Sequence, residues 1–318
     1  MNFIPQFKGR QLFLPKSELP IMSLARTAFF ASMVAMVASL VLWSAVGLNF
    51  GVDFKGGSMI EVRAKADQAD IADLRAKTGG LGLGDVQITS FGTPRDVLIR
   101  IEEQPGGAPA QQAALKKITD AIGDSYEQRR VEVVGPAVSS ELRTTGIIAV
   151  LCSIIAIILY VWFRFEWQFA IGAVVALVHD VLITIGVFSL FQFEFDLSTV
   201  AALLTILGYS VNDTVVVSDR IRENLRKYKR MELPALLNMS INETLSRTLM
   251  TSLTTLIVLV ALYILGGEVI RNFTFAMMFG VIIGTYSSIF IAAPLLSFLG
   301  VKRDWSGIAK EAPAATTT

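Results

Sequence analysis

The chain has 318 residues, of which 53% are hydrophobic and 17% are charged, and its formal net charge is +1. Its mean hydropathy is +0.57, and soluble domains carry about 25% charged residues, so the composition excludes an ordinary soluble protein. The lone cysteine, Cys152, excludes an internal disulfide, and the lone histidine, His179, excludes a multi-histidine metal site. We therefore expect an integral membrane protein.

Six segments are apolar over the roughly 20 residues that a membrane-spanning helix requires. They cover residues 27–48, 144–163, 168–191, 197–219, 249–266 and 273–299. The first segment is longer than the apolar core of a signal peptide and lacks a clear cleavage pattern. We therefore predict a cytoplasmic segment 1–26, a first spanning helix, five more spanning helices within 143–303 and a cytoplasmic tail 304–318.

Residues 49–142, between the first and second spans, have the composition of a small folded domain. They are rich in charge and glycine, and β-branched residues with partial alternation indicate strands. We predict strands at 59–63, 97–101 and 131–134, a weaker strand at 86–90, and helices near 67–78 and 110–123. This β-α-β-β-α-β order predicts a small α+β domain that is consistent with a ferredoxin-like fold.

Lysine and arginine are concentrated on one side of the predicted spans. They precede the first span, follow the fourth in a predicted basic cytoplasmic loop 220–247, and follow the sixth. The linkers after the third and fifth spans contain instead Glu194, Asp196, Glu268 and Arg271. The positive-inside rule therefore predicts that both termini are cytoplasmic and that the domain 49–142 lies on the opposite side. Within the loop, residues 233–245 are expected to form an amphipathic connector at the membrane surface.

Asp213 lies within the fourth predicted span, where a carboxylate costs about 2.5–3.5 kcal/mol on the mildest insertion scales. Tyr209, Asn212 and Asp213 fall on one helical face, because residues three and four apart are neighbours. Such groups usually mark ion or proton pathways, so Asp213 is a candidate proton relay that Asn212 orients and Tyr209 lines. The alternative is a structural hydrogen-bond site between helices.

Arg247 opens the fifth predicted span and is the natural counter-charge for Asp213. Thr251 and either Thr254 or Thr255 share its helical face, which would give a polar supporting stripe. The alternative is an arginine that extends to the membrane interface and sets the topology.

His179 and Asp180 lie halfway along the third predicted span, where two titratable groups require a reason. One reason is a structural pair that fixes a helix interface, and the other is membership of a proton pathway. Adjacent helical residues point about 100° apart, so we expect the two side chains on different faces.

Enzyme chemistry has no sequence support. The segment 51–57 lacks the GxxxxGK[ST] spacing of a phosphate-binding loop, and no nucleophile with its base is evident. We therefore expect no catalytic residues, no cofactor and no metal.

These residues also resemble a known family. The segment 208–224 resembles the fourth-helix signature of the SecF branch of the SecD/SecF protein-export membrane proteins, within the resistance–nodulation–division superfamily. Residues 53–57, Asp-Phe-Lys-Gly-Gly, resemble the start of that family's periplasmic domain, and residues 134–142 resemble its end. His179-Asp180 and Arg247-Thr248 also fall where the family has them, and the resemblance covers about residues 25 to 303.

The resemblance implies a subunit of the inner membrane that uses the proton gradient to promote protein export. Asp213 would be the principal proton carrier, with Arg247 close to it. Glycine-bounded connections at Gly56-Gly57 and Gly135-Pro136 would let the periplasmic domain tilt. The implied partners are SecD, the SecYEG channel, YajC, YidC and the translocating secretory polypeptide, with no nucleic acid. The alternatives are a small-molecule or lipid exporter of the same superfamily and a scaffold that handles no protons.

Overall fold

The computed structural model describes residues 19–301, so the predicted tail 304–318 and most of the segment 1–26 lie outside the described residues. The first spanning helix, α1, begins at Ile21, earlier than predicted, and ends at Val46. A two-residue strand β1 (Asn49–Phe50) and a one-turn helix α2 (Val52–Lys55) follow it. Neither of these two short elements was predicted from the sequence.

The domain after α2 is a four-stranded antiparallel sheet with two helices packed on one face. Its elements are β2 (Gly57–Ala64), α3 (Ile71–Gly79), β3 (Val86–Phe91), β4 (Thr93–Ile101), α4 (Gly107–Ile122) and β5 (Tyr126–Val134). The strand order β3-β4-β2-β5 is that of a ferredoxin-like fold. Alternate residues such as Ile60 and Ile99 pack with Leu74 and Ile118 of the helices, because successive strand side chains point to opposite faces. The predicted domain is confirmed.

The remaining helices complete the membrane bundle. They are α5 (Pro136–Arg164), α6 (Trp167–Phe191), α7 (Leu197–Lys227), α8 (Leu233–Leu265), α9 (Arg271–Ser287) and α10 (Ala293–Phe298). A short strand β6 (Glu194–Phe195) pairs in parallel with β1, and a π-helical segment, Ser288–Ala292, joins α9 to α10. Six helices in the described range are long and apolar enough to span a membrane, with α9 and α10 forming one span. The predicted six-helix architecture is confirmed.

Helices α6, α7 and α9 form the centre of the bundle, and α1, α5 and α8 surround them. The central helices are mostly buried, whereas the surrounding helices bury only a small part of their apolar surface within this chain. The sheet domain lies at one end of this bundle, on what we call the domain side of the membrane. The candidate carboxylates Asp180 and Asp213 are both on central helices.

The predicted loop 220–247 is mostly helical, and the predicted helix 233–245 is the first part of the long helix α8 rather than a separate connector. Helix α7 continues to Lys227 and α8 begins at Leu233, so only residues 228–232 connect them. Leu236 and Ile241 are fully buried in one cluster with Ile221 of α7. The apolar stripe that indicated an interfacial helix instead packs against the extension of α7, because two helices bury such stripes against each other.

Candidate proton-relay site

Asp213 is buried in the middle of the bundle. Asp213 is only 3% exposed to solvent. Its Oδ2 atom is buried and accepts no hydrogen bond from the described residues. Arg247 on α8 is the charged side chain whose field acts on it. A buried carboxylate oxygen without a donor is costly when charged, so this group has a physical reason to take up a proton.

A polar contact chain runs beside Asp213 across three helices. The Tyr209 hydroxyl of α7 donates to Ser252 Oγ of α8 at 3.4 Å, and Ser252 Oγ lies 2.6 Å from Thr285 Oγ1 of α9. Thr248, one turn before Ser252, has a buried hydroxyl without a hydrogen-bond partner in the described structure. From the sequence, Thr248 was noted only beside Arg247 in the family resemblance, and Ser252 and Thr285 were missed, although the i, i+4 spacing of Thr248 and Ser252 was a usable signal.

The three predicted threonines of α8 do not form this chain. Thr251 donates to the Thr248 carbonyl, Thr254 to the Met250 carbonyl and Thr255 to the Thr251 carbonyl, each at 2.9 Å. Their hydroxyls are therefore satisfied by their own helix, as is common for threonine within helices. The α8 contact toward Tyr209 comes from Ser252 instead.

Asn212 lies on the exposed face of α7 rather than in the bundle core. Ala201, Thr205 and Gly208 are exposed at three- and four-residue spacing on the same face. Asn212 is therefore turned toward the surroundings of the chain, while Asp213 beside it is turned inward.

Asp180 is fully buried and, unlike Asp213, has several hydrogen-bond partners. Its Oδ1 lies 2.9 Å from His179 Nδ1, and its Oδ2 accepts from Ser210 Oγ at 2.6 Å and from Ser287 Oγ at 2.9 Å. The expectation that His179 and Asp180 are kept apart on different faces is wrong, because their flexible side chains bend toward each other. Ser210 is three residues before Asp213, so α7 contacts both carboxylate sites.

His179 extends the Asp180 site toward α1. Its ring stacks on Tyr286 with centroids 5.9 Å apart, and the Tyr286 hydroxyl donates to the Ala28 carbonyl at 2.9 Å and lies 2.9 Å from Ser32 Oγ. The His179 Nε2 atom is buried without a partner among the described residues. The π-helical segment starts directly after Ser287, and such segments are frequent at functional sites.

The predicted hinge residues lie at both connections of the sheet domain. Gly56 ends α2 with a φ of 77°, and Gly135 precedes Pro136, the first residue of α5. Gly57 begins β2 with a φ of 114°, and a Cβ there would lie 2.3 Å from the Ile101 carbonyl oxygen. The local backbone therefore requires glycine at position 57 for close strand packing as well as for conformational freedom.

The domain and the segment that leads into it are held by contacts with α5, α7 and the strand β6 between α6 and α7. Asp53 Oδ2 accepts from the Leu197 backbone N–H at 2.9 Å, and Arg143 donates to the Phe54 carbonyl at 3.0 Å. Arg100 of β4 forms an ion pair with Glu194 of β6. Burial raises the pKa of Glu194, although the positive charge of Arg100 opposes that shift. These contacts join residues up to 144 positions apart, so no local sequence pattern indicated them.

The residues described in the structure contain no group of three or more histidine, cysteine, aspartate or glutamate side chains placed to hold a metal ion. The Asp180 and Asp213 carboxylates can each bind a proton or accept hydrogen bonds. Six spanning helices, an inserted ferredoxin-like domain and carboxylates buried in the bundle core define a multi-pass membrane protein of the transport class.

Family models identify the class more closely. Residues 114–302 match the model described as protein export membrane protein SecD/SecF, C-terminal, and residues 41–68 match the SecD/SecF GG motif. The chain therefore belongs to the SecD/SecF family of protein-export membrane proteins, and it has the role of an accessory subunit of the Sec translocon.

Individual relatives agree along most of the chain. Protein translocase subunit SecF of Cereibacter sphaeroides is 49% identical over 95% of both chains, and that of Magnetococcus marinus is 50% identical over 90% of this chain and 93% of its own. Protein translocase subunit SecDF of Brucella abortus is 45% identical over 90% of this chain but only 38% of its own. The crystal structure of Thermus thermophilus SecDF aligns with a TM-score of 0.81 at 37% identity, over 91% of this chain and 40% of that one.

Proposed function

We propose that this subunit uses the proton-motive force, together with SecD, to promote the export of preproteins across the inner membrane. The observation that carries the proposal is Asp213, a buried carboxylate on a central spanning helix with an oxygen that no described group stabilises by a hydrogen bond. The charged form of such a carboxylate is unfavourable, whereas the protonated form is not. Whether Asp213 holds a proton therefore responds to the proton concentration on each side of the membrane.

The two carboxylates would then have different tasks. Asp213 exchanges the proton, and Arg247 provides the positive charge that the deprotonated form requires. Asp180 is proposed as a second member of the relay next to Asp213. Its carboxylate is held in one geometry by hydrogen bonds with His179, Ser210 and Ser287. Asn212 faces away from this core and is proposed as a contact toward the partner.

Movement of the sheet domain is the proposed mechanical result. Helix α7 carries Asp213, and its first backbone N–H is held by Asp53 of the segment that leads into the domain. A shift of α7 on protonation would therefore be transmitted to that segment and to the hinge at Gly56-Gly57 and Gly135-Pro136.

The proposed topology is based on the distribution of positive charge, and the proposed partner SecD on the relatives in which SecD and SecF form one chain. The arginine-rich end of α7 favours a cytoplasmic location for that side, with both termini cytoplasmic and the domain periplasmic. SecD is the proposed partner, because in the Brucella protein SecD and SecF form one chain of which this chain matches 38%. SecYEG, YajC, YidC and the emerging polypeptide complete the proposed assembly, with the proton gradient as the only energy source and no cofactor.

A small-molecule or lipid exporter is the weaker alternative, because about 90 residues form only a small sheet domain without room for an enclosed substrate chamber. A scaffold without proton coupling is the third candidate.

To separate these, export of a model secretory protein into inverted membrane vesicles containing SecD is measured with and without a proton gradient. Asp213→Asn should lose the gradient-dependent stimulation, whereas Asp67→Asn, on the exposed surface of the domain, should keep it. Equal stimulation in both variants would favour the scaffold.

A further inference from the structure

An open surface pocket of about 590 Å³ lies where the ends of α5 and α7 meet, on the side of the membrane opposite the domain. We call it the headgroup pocket. It is lined by Arg164, Asp219, Arg222, Glu223, Arg226 and Lys227. Four of these side chains are cations and two are carboxylates. Asp219 lies 3.4 Å from the Arg164 guanidinium within the pocket, and Glu223 is paired with Arg220. The pocket therefore has a surplus of positive charge.

The depth of the pocket matches the headgroup layer of a bilayer. Helix α7 has 31 residues, or about 46 Å, whereas the hydrocarbon core is about 30 Å thick. With Leu197 at the domain-side surface, residues 219–227 extend beyond the hydrocarbon on the other side. Trp162, Phe163 and Trp167 are exposed next to Arg164, at 61%, 94% and 51%, and exposed aromatic residues of spanning helices concentrate at the membrane interface.

Two of the cations are held in position. The Arg164 and Arg222 guanidinium carbons lie 5.0 and 6.0 Å from the centre of the Phe165 ring, and Arg222 donates to the Arg164 carbonyl at 3.4 Å. Arg226 follows Arg222 by one helical turn on the same face of α7. Planar guanidinium groups that are already oriented bind phosphate through paired hydrogen bonds.

From the position, charge and oriented arginines we infer that the headgroup pocket binds the phosphodiester headgroup of an anionic phospholipid, with the acyl chains beside Trp162 and Phe163. The leaflet depends on the proposed topology, which makes it the cytoplasmic leaflet, but the binding itself does not depend on proton coupling. Basic pockets between spanning helices on the cytoplasmic side are known to suit such headgroups. The pocket assigns a lipid-binding role to cations that the proton relay does not use.

The test is native mass spectrometry of the full chain in detergent, titrated with cardiolipin or with zwitterionic phosphatidylethanolamine carrying the same acyl chains. Wild type should bind cardiolipin in preference, and Arg164→Gln with Arg222→Gln should weaken that binding about tenfold, since two charge-assisted hydrogen-bonding groups are lost. The matched control, Lys229→Gln with Arg230→Gln, removes the same charge outside the pocket and should change binding about twofold or less. The variant Arg164→Lys with Arg222→Lys keeps both charges but loses the paired hydrogen bonds, so it should bind cardiolipin with intermediate strength. That result would show that the weaker binding of the glutamine variant is not caused by a folding defect.

Several results would overturn the inference. Equal weakening in the pocket variant and the control would mean that only overall charge matters. Displacement of cardiolipin by inorganic phosphate would assign the pocket to a soluble phosphate compound. Unchanged lipid binding in the pocket variant would leave an acidic protein segment as its occupant. Because lipid binding is read without a gradient or an export reaction, its failure would leave the proposed proton coupling untouched, and the reverse also holds.

Discussion

The Asp53 carboxylate accepts a hydrogen bond of 2.9 Å from the backbone N–H of Leu197, the first residue of α7. The N-terminus of a helix carries a partial positive charge, so a carboxylate there is favourable by about 0.3–1 kcal/mol. The bond joins the entry segment of the sheet domain to the helix that carries Asp213. It is therefore a physical link between the candidate proton site and the domain.

Replacing Asp53 should weaken this link without unfolding the protein. Asp53→Asn removes the charge at the helix terminus, and we expect faster hydrogen exchange of the first-turn amides of α7 together with reduced gradient-dependent export. Asp196→Asn is the wrong control because Asp196 itself caps α7, so the exposed Asp67→Asn serves instead. Unchanged export and exchange in Asp53→Asn would show that the contact does not transmit movement.

The ion pair between Arg100 and Glu194 should stabilise the same junction. Arg100→Glu and Glu194→Arg each place like charges together, so each should reduce export and loosen the domain, as seen by protease sensitivity of residues 102–107. The double exchange restores opposite charges and should recover much of the loss. Recovery that is no better than either single variant would mean that the pair is not the relevant contact.

Gly57→Ala should be strongly destabilising, because the new Cβ would meet the Ile101 carbonyl oxygen at 2.3 Å in a backbone with a φ of 114°. We expect a loss of about 3 kcal/mol in the free energy of unfolding of the domain. Gly79→Ala is the matched control, since nothing lies within 4 Å of its added Cβ, and it should change stability by less than about 1 kcal/mol. Thermal unfolding of the two purified variants compares them, and similar midpoints would contradict the steric explanation.

Asp96 should make the domain sensitive to acid. Arg63 donates to both of its oxygens, at 2.6 and 2.9 Å, and lowers the pKa of Asp96 to about 2 from an ordinary value of 3.8. A lowered folded-state pKa means that the stabilisation is complete above about pH 4 and is lost as the pH falls through about 2. Because solvent screens the partly exposed Arg63, the effect should be small.

The measurement for Asp96 is the stability difference between wild type and Asp96→Asn as a function of pH. The difference should be constant near neutral pH and should shrink toward zero as the pH falls from about 4 to about 2. A difference that does not vary over this range would mean that the ion pair contributes nothing to folding.

The sequence predicted the parts of the fold that depend on local periodicity. Apolar windows located all six spans, and alternation located the strands of the sheet domain. The extension of α7 and the burial of Leu236 were missed, because an apolar stripe on a polar helix fits a membrane surface as well as a neighbouring helix.

The candidate site was predictable only in its charged residues. Asp180 and Asp213 were found because carboxylates within apolar spans are rare. Their different surroundings were not predictable, since the hydroxyls of Ser210 and Ser287 reach Asp180 through the rotation of three helices about their axes. Likewise, nothing local distinguished Ser252, which contacts Tyr209, from the nearby Thr254, which does not.

The most direct measurement is proton flux through this protein and SecD in proteoliposomes that contain a pH-sensitive dye and carry an imposed gradient. Wild type should transport protons, Asp213→Glu should retain part of the flux, and Asp213→Asn should reduce it to the level of protein-free vesicles. Flux in Asp213→Asn equal to that of wild type would contradict the assignment of Asp213 as the proton carrier.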